Sequence, residues 1–138
     1  MYIGQNIDPR ILKKFIQTNN MTRPKTIFLD IDGTLVSHLG SIEKQFTESL
    51  QLLPGTLEKL SEWDRKGYNI ILTTGRREST RKRTEEQLTE KGIYYDQLIM
   101  GIGGGTRILI NDKKPDSDDE TAISLSLKRN EGISEVYI

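Results

Sequence analysis

The chain has 138 residues, of which 34% are hydrophobic and 29% charged, enough for one domain with a modest core and little room for a second. Twenty basic side chains balance twenty acidic ones, so no net field draws the chain toward nucleic acid or a membrane surface, and charge can act only in local patches. Cysteine is absent, which excludes disulfides, thiol catalysis and cysteine metal sites and suits a cytoplasmic protein.

No apolar run approaches the roughly 18 residues that would mark a membrane span, and the first twenty residues lack the apolar core of a signal peptide. Ile11, Leu12, Phe15 and Ile16 are spaced for a short amphipathic helix, and the polar stretch Thr18 to Pro24 separates it from the rest of the chain. Residues 1–24 are therefore read as an appendage and 25–138 as the domain. Thr26 to Leu29 is a short apolar run after Pro24 and reads as a buried strand, closed by the polar turn Asp30-Ile31-Asp32-Gly33-Thr34. A helix is expected around Glu43 to Leu53. Pro54-Gly55 opens a second helix, with Leu57, Leu60 and Trp63 at helical spacing and Gly67 as its stop.

Asn69 to Thr73 reads as the second buried strand, ending at Thr74-Gly75-Arg76, and a charged helix comes next, from about Glu78 to Lys91. Asp96 to Met100 reads as a third strand and Gly101 to Gly105 as a flexible connection. Arg107 to Ile110 reads as a fourth strand ending at Asn111-Asp112, with an acidic loop after it through Asp116, Asp118, Asp119 and Glu120. Ala122 to Leu127 alternates with period two and predicts a further strand, and Ile133 to Ile138 an edge strand. Strand and helix in alternation predict an α/β domain of three layers around a small, mostly parallel sheet.

In an open parallel sheet ligands bind outside the carboxyl ends of the strands. Asp30 with Asp32, then Thr74, then Asp112 stand at three such ends, which groups residues some eighty positions apart in one crevice. Two carboxylates two residues apart at a strand end can face the same site, and Gly33 allows the sharp turn that points backbone N–H groups at an anion. Magnesium takes oxygen ligands and keeps several waters; Asp30 and Asp112 are natural ligands for it, with Asp116 a further candidate through water.

Asp30-Ile31-Asp32-Gly33-Thr34, Leu72-Thr73-Thr74-Gly75-Arg76 and Asn111-Asp112-Lys113-Lys114-Pro115-Asp116 together resemble the first, second and fourth motifs of the haloacid-dehalogenase (HAD) superfamily, a Rossmann-like fold, over about residues 25 to 132. The resemblance implies a phosphatase in which Asp30 attacks phosphorus and forms an aspartyl-phosphate. Asp32 is then the acid for the leaving oxygen and afterwards the base for water. It also implies magnesium held by Asp30, the Asp32 carbonyl and Asp112, and phosphoryl oxygens bound by Thr74 and the amides from Ile31 to Gly33, with Thr34, Gly75 and Arg76 beside them. The second aspartate favours phosphatase over dehalogenase, because a halide leaves without a proton.

The third motif, a lysine or arginine before the fourth strand, has no clean match. Arg107 would begin that strand, roughly 13 Å from its active end, so Lys113 or Lys114 is favoured for the cation, with Arg76 as the remaining option. The span between Asp32 and Pro54 is too short for a full helical cap, so the crevice should be open. Open members act on large substrates or borrow a second copy of the chain as a lid. The expected substrate is a small phosphorylated molecule such as a sugar phosphate. Arg76, Arg77, Arg81, Lys82 and Arg83 allow a polynucleotide 3′-phosphatase as the alternative, although without interleaved aromatics. A regulatory module that binds phosphate without efficient turnover is the non-enzymatic rival. His38 reads as a surface residue placed near enough for a substrate role, and Trp63 as core.

Overall fold

The first strand forms where the sequence alternates most sharply: Ile27 and Leu29 point into the core while Thr26, Phe28 and Asp30 point out. The computed structural model describes residues 8–11 and 23–138. Strand β1 (Thr26–Asp30) leads through a loop to a short helix, α1 (Ile42–Thr47), and then to α2 (Thr56–Arg65). Strand β2 (Asn69–Thr73) comes next, then a 3-10 turn (Glu78–Thr80), α3 (Arg81–Glu90) and β3 (Gln97–Ile99). The strands pair in the order β1-β2-β3. Both pairings are parallel, with Asp30 opposite Thr73 and Thr73 opposite Ile99. The three carboxyl ends therefore lie level, and the crossovers that parallel pairing demands are supplied by α2 and α3. This is the expected α/β architecture with a small parallel sheet and no full cap.

One core joins the layers. Leu60 and Trp63 of α2, Leu88 of α3, and Ile70 and Leu72 of β2 are almost completely buried, together with Ile31, Leu35 and Val36 of the loop after β1. Each buried aliphatic side chain of this kind contributes about 1.5–3 kcal/mol. Gly55 starts α2 with a left-handed φ of 84°, and a Cβ there would lie 2.5 Å from the backbone nitrogen of Ser134. Gly67, at φ 80°, closes the helix as its spacing predicts. Thr56 donates its hydroxyl to the Leu35 carbonyl (2.7 Å), which fastens the loop after β1 to the start of α2.

The C-terminal third departs from expectation. Residues 107–110 form no strand: Ile108 and Ile110 are 80% and 89% exposed. Contacts of the neighbouring residues go to residues 120 and 121 instead. Asn111 Nδ2 donates to the Thr121 carbonyl (3.2 Å), the Thr121 hydroxyl donates to the Asp112 carbonyl, and Lys113 pairs with Glu120 at 3.7 Å. Residues 122–127 and 133–138 are not strands either, although Ile133 is buried in the core. An apolar run becomes a strand only when a sheet edge accepts it, and propensity alone cannot secure that edge. The helix expected over 43–53 is limited to Ile42–Thr47, and the charged helix begins as a 3-10 turn. Residues 9–11 are helical; the rest of the N-terminal helix expected through Leu12, Phe15 and Ile16 lies outside the described residues.

Candidate active site

The level strand ends open into a crevice of about 580 Å³ lined by Asp30, Asp32, Thr74, Gly75 and Arg76, together with His38, Gln45 and Phe46 of α1, Gly103, Gly104, Arg107 and Arg129. The loop after β1 is held by its own backbone. The Gly33 amide donates to the Val36 carbonyl (2.7 Å), and the Leu35 amide to the Ile31 carbonyl (2.9 Å). Gly33 has a φ of 91°, a conformation that glycine adopts without strain. The turn leaves both aspartates on the crevice wall.

Asp30 sits at the end of β1, where the Thr34 hydroxyl donates to Oδ2 at 3.4 Å. Its carboxyl is raised above the usual carboxylate range, first by partial enclosure in the crevice and then by the charge of Asp32, against the smaller downward pull of the Ile31 amide, Arg107 and Thr34. Asp32 is bound differently. Arg76 Nε donates to Oδ2 and Nη2 to Oδ1, both at 2.8 Å, a fork in which both side chains are nearly buried. The same guanidinium donates Nη1 to Thr84 Oγ1 (3.3 Å) and to Gln87 Oε1 (2.8 Å). Thr74 is buried, and its hydroxyl oxygen accepts from the Arg76 amide (3.1 Å), leaving the hydroxyl hydrogen to donate into the crevice.

Gly75 has a packing role. A Cβ there would meet the Gly103 carbonyl at 2.9 Å, and the Gly101 amide donates to the Arg76 carbonyl at 2.7 Å. The glycine-rich connection thus packs against the β2 turn and forms part of the crevice rim.

The structure brings together Asp30, Asp32, Thr74, Gly75 and Arg76. Ile31, Gly33 and Thr34 lie in the loop beside them, but the Gly33 amide is committed to Val36 and the Thr34 amide to Ile31, so neither is free to bind an anion in this conformation. Asp112, Asp116, Lys113 and Lys114 are exposed and do not line the crevice; Lys113 pairs with Glu120 instead. The cations at the crevice are other residues. Arg107 reaches it because no strand carries it away, and Arg129 reaches it from the far end of the chain, its Cγ 3.2 Å from where a Gly33 Cβ would be. Arg129 is placed by its neighbour: the Asn130 amide donates to the Gly33 carbonyl (2.9 Å), and Asn130 Oδ1 accepts from the His38 amide (2.8 Å). The left-handed φ of 64° at Asn130 marks a turn that the Asn-Glu-Gly sequence signals, but nothing local signals where that turn docks.

Among the described residues no group of three or more acidic or histidine side chains is gathered for a metal. Of the two aspartates at the crevice, Asp30 has the carboxylate left to hold a metal, since Arg76 takes both Asp32 carboxylate oxygens. This fits magnesium's habit of binding through one or two carboxylates, substrate phosphate and several waters.

The end of β1 carries two aspartates and the end of β2 a threonine hydroxyl, and all three line one crevice. The family profile for acid phosphatases of HAD superfamily subfamily IIIB matches residues 9–122, and the chain belongs to that family. The match begins within the stretch read from sequence as an appendage. No curated protein matches the chain. Among solved structures, one similar chain is a structural-genomics target from Vibrio cholerae, with 21% identity, a TM-score of 0.48, and coverage of 63% of this chain and 79% of that one. Another is D,D-heptose 1.7-bisphosphate phosphatase from B. bronchiseptica, crystallised with magnesium and phosphate, with 20% identity, a TM-score of 0.44, and coverage of 69% of this chain and 54% of that one. Among the described residues, no helix is long and apolar enough to cross a membrane.

Proposed function

We propose that this phosphatase hydrolyses small phosphomonoesters, sugar phosphates among them, through an aspartyl-phosphate on Asp30. The observation that carries the reading is the meeting of Asp30, Asp32 and Thr74 in one crevice whose rim also bears Arg76, Arg77, Arg107 and Arg129. An Asp30 carboxylate oxygen forms the new bond to phosphorus as the ester P–O bond breaks. Asp32, when protonated, gives its proton to the departing oxygen. Water then attacks the phosphorus of the acyl phosphate and loses a proton to Asp32, restoring the Asp30 carboxylate and releasing inorganic phosphate. Thr74 donates its hydroxyl to a phosphoryl oxygen throughout, and the arginines hold the dianion in the crevice.

Asp30 and the Asp32 carbonyl would hold magnesium, which supplies Lewis-acid shielding between carboxylate and phosphate. Asp112 belongs to that set in this reading, with Asp116 behind it. Both stand outside the crevice in the fold described, so they reach it only by a rearrangement of residues 107–112 that would also move Arg107 from the rim. The arginine rim also suits a polyanion; hydrolysis of a 3′-phosphorylated oligonucleotide far faster than of a sugar phosphate would select the polynucleotide reading. The direct test is p-nitrophenyl phosphate hydrolysis. Activity that requires magnesium and disappears in Asp30→Asn supports the proposal, and undiminished turnover by that variant refutes it.

A further inference from the structure

The crevice wall formed by α1 is not held in place by the core. None of the α1 side chains is buried, yet Gln45 and Phe46 line the crevice. What fixes the helix is a set of side-chain bonds from α3. Arg83 Nε donates to the Phe46 carbonyl at 2.9 Å. Gln87 Nε2 donates one hydrogen to the Gln45 carbonyl (2.7 Å) and the other to the Glu48 carbonyl (2.8 Å).

Gln87 is fully buried, and its remaining polar atom is also engaged: Oε1 accepts from Arg76 Nη1 at 2.8 Å. Arg76 directs one N–H to Thr84, one to Gln87 and two to the Asp32 carboxylate. That fixes four of the five guanidinium donors. The two bonds from Nη1 leave the plane of the guanidinium one orientation, and that plane sets the plane of the Asp32 carboxylate. A single buried amide therefore joins the crevice wall at α1 to the carboxylate that handles the proton.

We propose that Gln87 is a positioning residue for the proton transfer: through Arg76 it holds the Asp32 carboxyl where the leaving oxygen departs, and through the Gln45 and Glu48 carbonyls it ties that placement to the α1 wall. The inference rests on the proposed role of Asp32 as acid. Its mark is dependence on the leaving group. p-Nitrophenolate departs as a stable anion and needs little help from an acid, whereas the alkoxide of β-glycerol phosphate must be protonated as the P–O bond breaks.

The experiment compares kcat/KM, which ends at the departure of the alcohol and so leaves out the later water attack that Asp32 also serves, on these two esters for the wild type, Gln87→Met and Gln87→Glu, with thermal melts run alongside. The methionine variant keeps the volume and loses every hydrogen bond. It is expected to keep its rate on p-nitrophenyl phosphate within about twofold and to lose about tenfold or more on β-glycerol phosphate, within the range general acids supply. The glutamate variant retains an acceptor for Arg76 and is expected to recover part of the β-glycerol phosphate rate. Equal losses on both esters, no loss on either, or a glutamate variant no better than methionine would overturn the inference. If Gln87→Met does not fold, the glutamate variant alone decides: its rate ratio between the two esters must shift from wild type in the same direction, and an unchanged ratio refutes the role. A wild type inactive on both esters would instead sink the proposed function itself, and the positioning role with it.

Discussion

Removing the Arg76 guanidinium should unfold the protein more readily than removing a core methylene, because its partners Asp32 and Gln87 are nearly or fully buried. In Arg76→Met, the Asp32 carboxylate, with a side chain only 10% exposed, loses both donors of the fork, and Gln87 Oε1 loses its donor. Breaking a buried ion pair from one side costs about 3–5 kcal/mol, and an orphaned buried acceptor about 1–3 kcal/mol. These costs overlap, since both arise from one truncation, so a loss of about 4 kcal/mol is expected. With a urea slope of about 2 kcal/mol per molar, the midpoint should fall by about 2 M. The protein has a single tryptophan, and it is buried in the core, so its fluorescence reports the transition. The double variant Arg76→Met/Asp32→Asn removes the stranded carboxylate and should recover about half of the loss. A single variant whose midpoint stays within about 0.3 M of wild type, or a double variant no more stable than the single, would refute the claim that this fork is a buried, mutually dependent pair.

Three other perturbations probe the site and its frame. Asp30→Asn should stabilise the fold at neutral pH: the folded Asp30 carboxyl is raised above 3.8, so ionisation opposes folding, and the advantage should vanish once pH falls below that value. Melts at pH 7 and pH 3 check the sign. Gly55→Ala must adopt a φ of 84° and place its Cβ against Ser134. A cost of about 3 kcal/mol, seen as a melting temperature lower by about 10 °C, is expected, and a change under about 2 °C would contradict the packing. Asp112→Ala should raise the magnesium concentration for half-maximal activity by about tenfold or more, whereas an unchanged requirement would keep Asp112 out of the site.

The two motif-bearing strands were legible because short apolar runs are punctuated where the chain turns. Pro24 precedes β1 and Gly33 comes after it, while Gly67 precedes β2 and Gly75 comes after it, so strand, turn and polar terminus could be read together. The parallel arrangement came from the helices between the strands, and with it the meeting of Asp30, Asp32 and Thr74. Residues 107–110 carry an equally apolar run, but periodicity says nothing about which edge receives it, and their neighbours are tied to Glu120 and Thr121 instead. That one difference places Arg107 at the crevice and keeps Lys113 and Lys114 away from it. Arg76 was visible as a cation near the phosphate; its engagement with Asp32 was not, because the fork depends on Thr84 and Gln87 arriving from α3. Arg129 enters through a backbone bond spanning the domain, a purely tertiary event.

The central claim is that Asp30 carries the phosphoryl group during turnover. Enzyme mixed with p-nitrophenyl phosphate and magnesium, quenched in acid within milliseconds and digested, should yield a phosphorylated peptide containing Asp30, and the Asp30→Asn variant should yield none. A phosphoryl group mapped to another residue of an active enzyme would contradict the account.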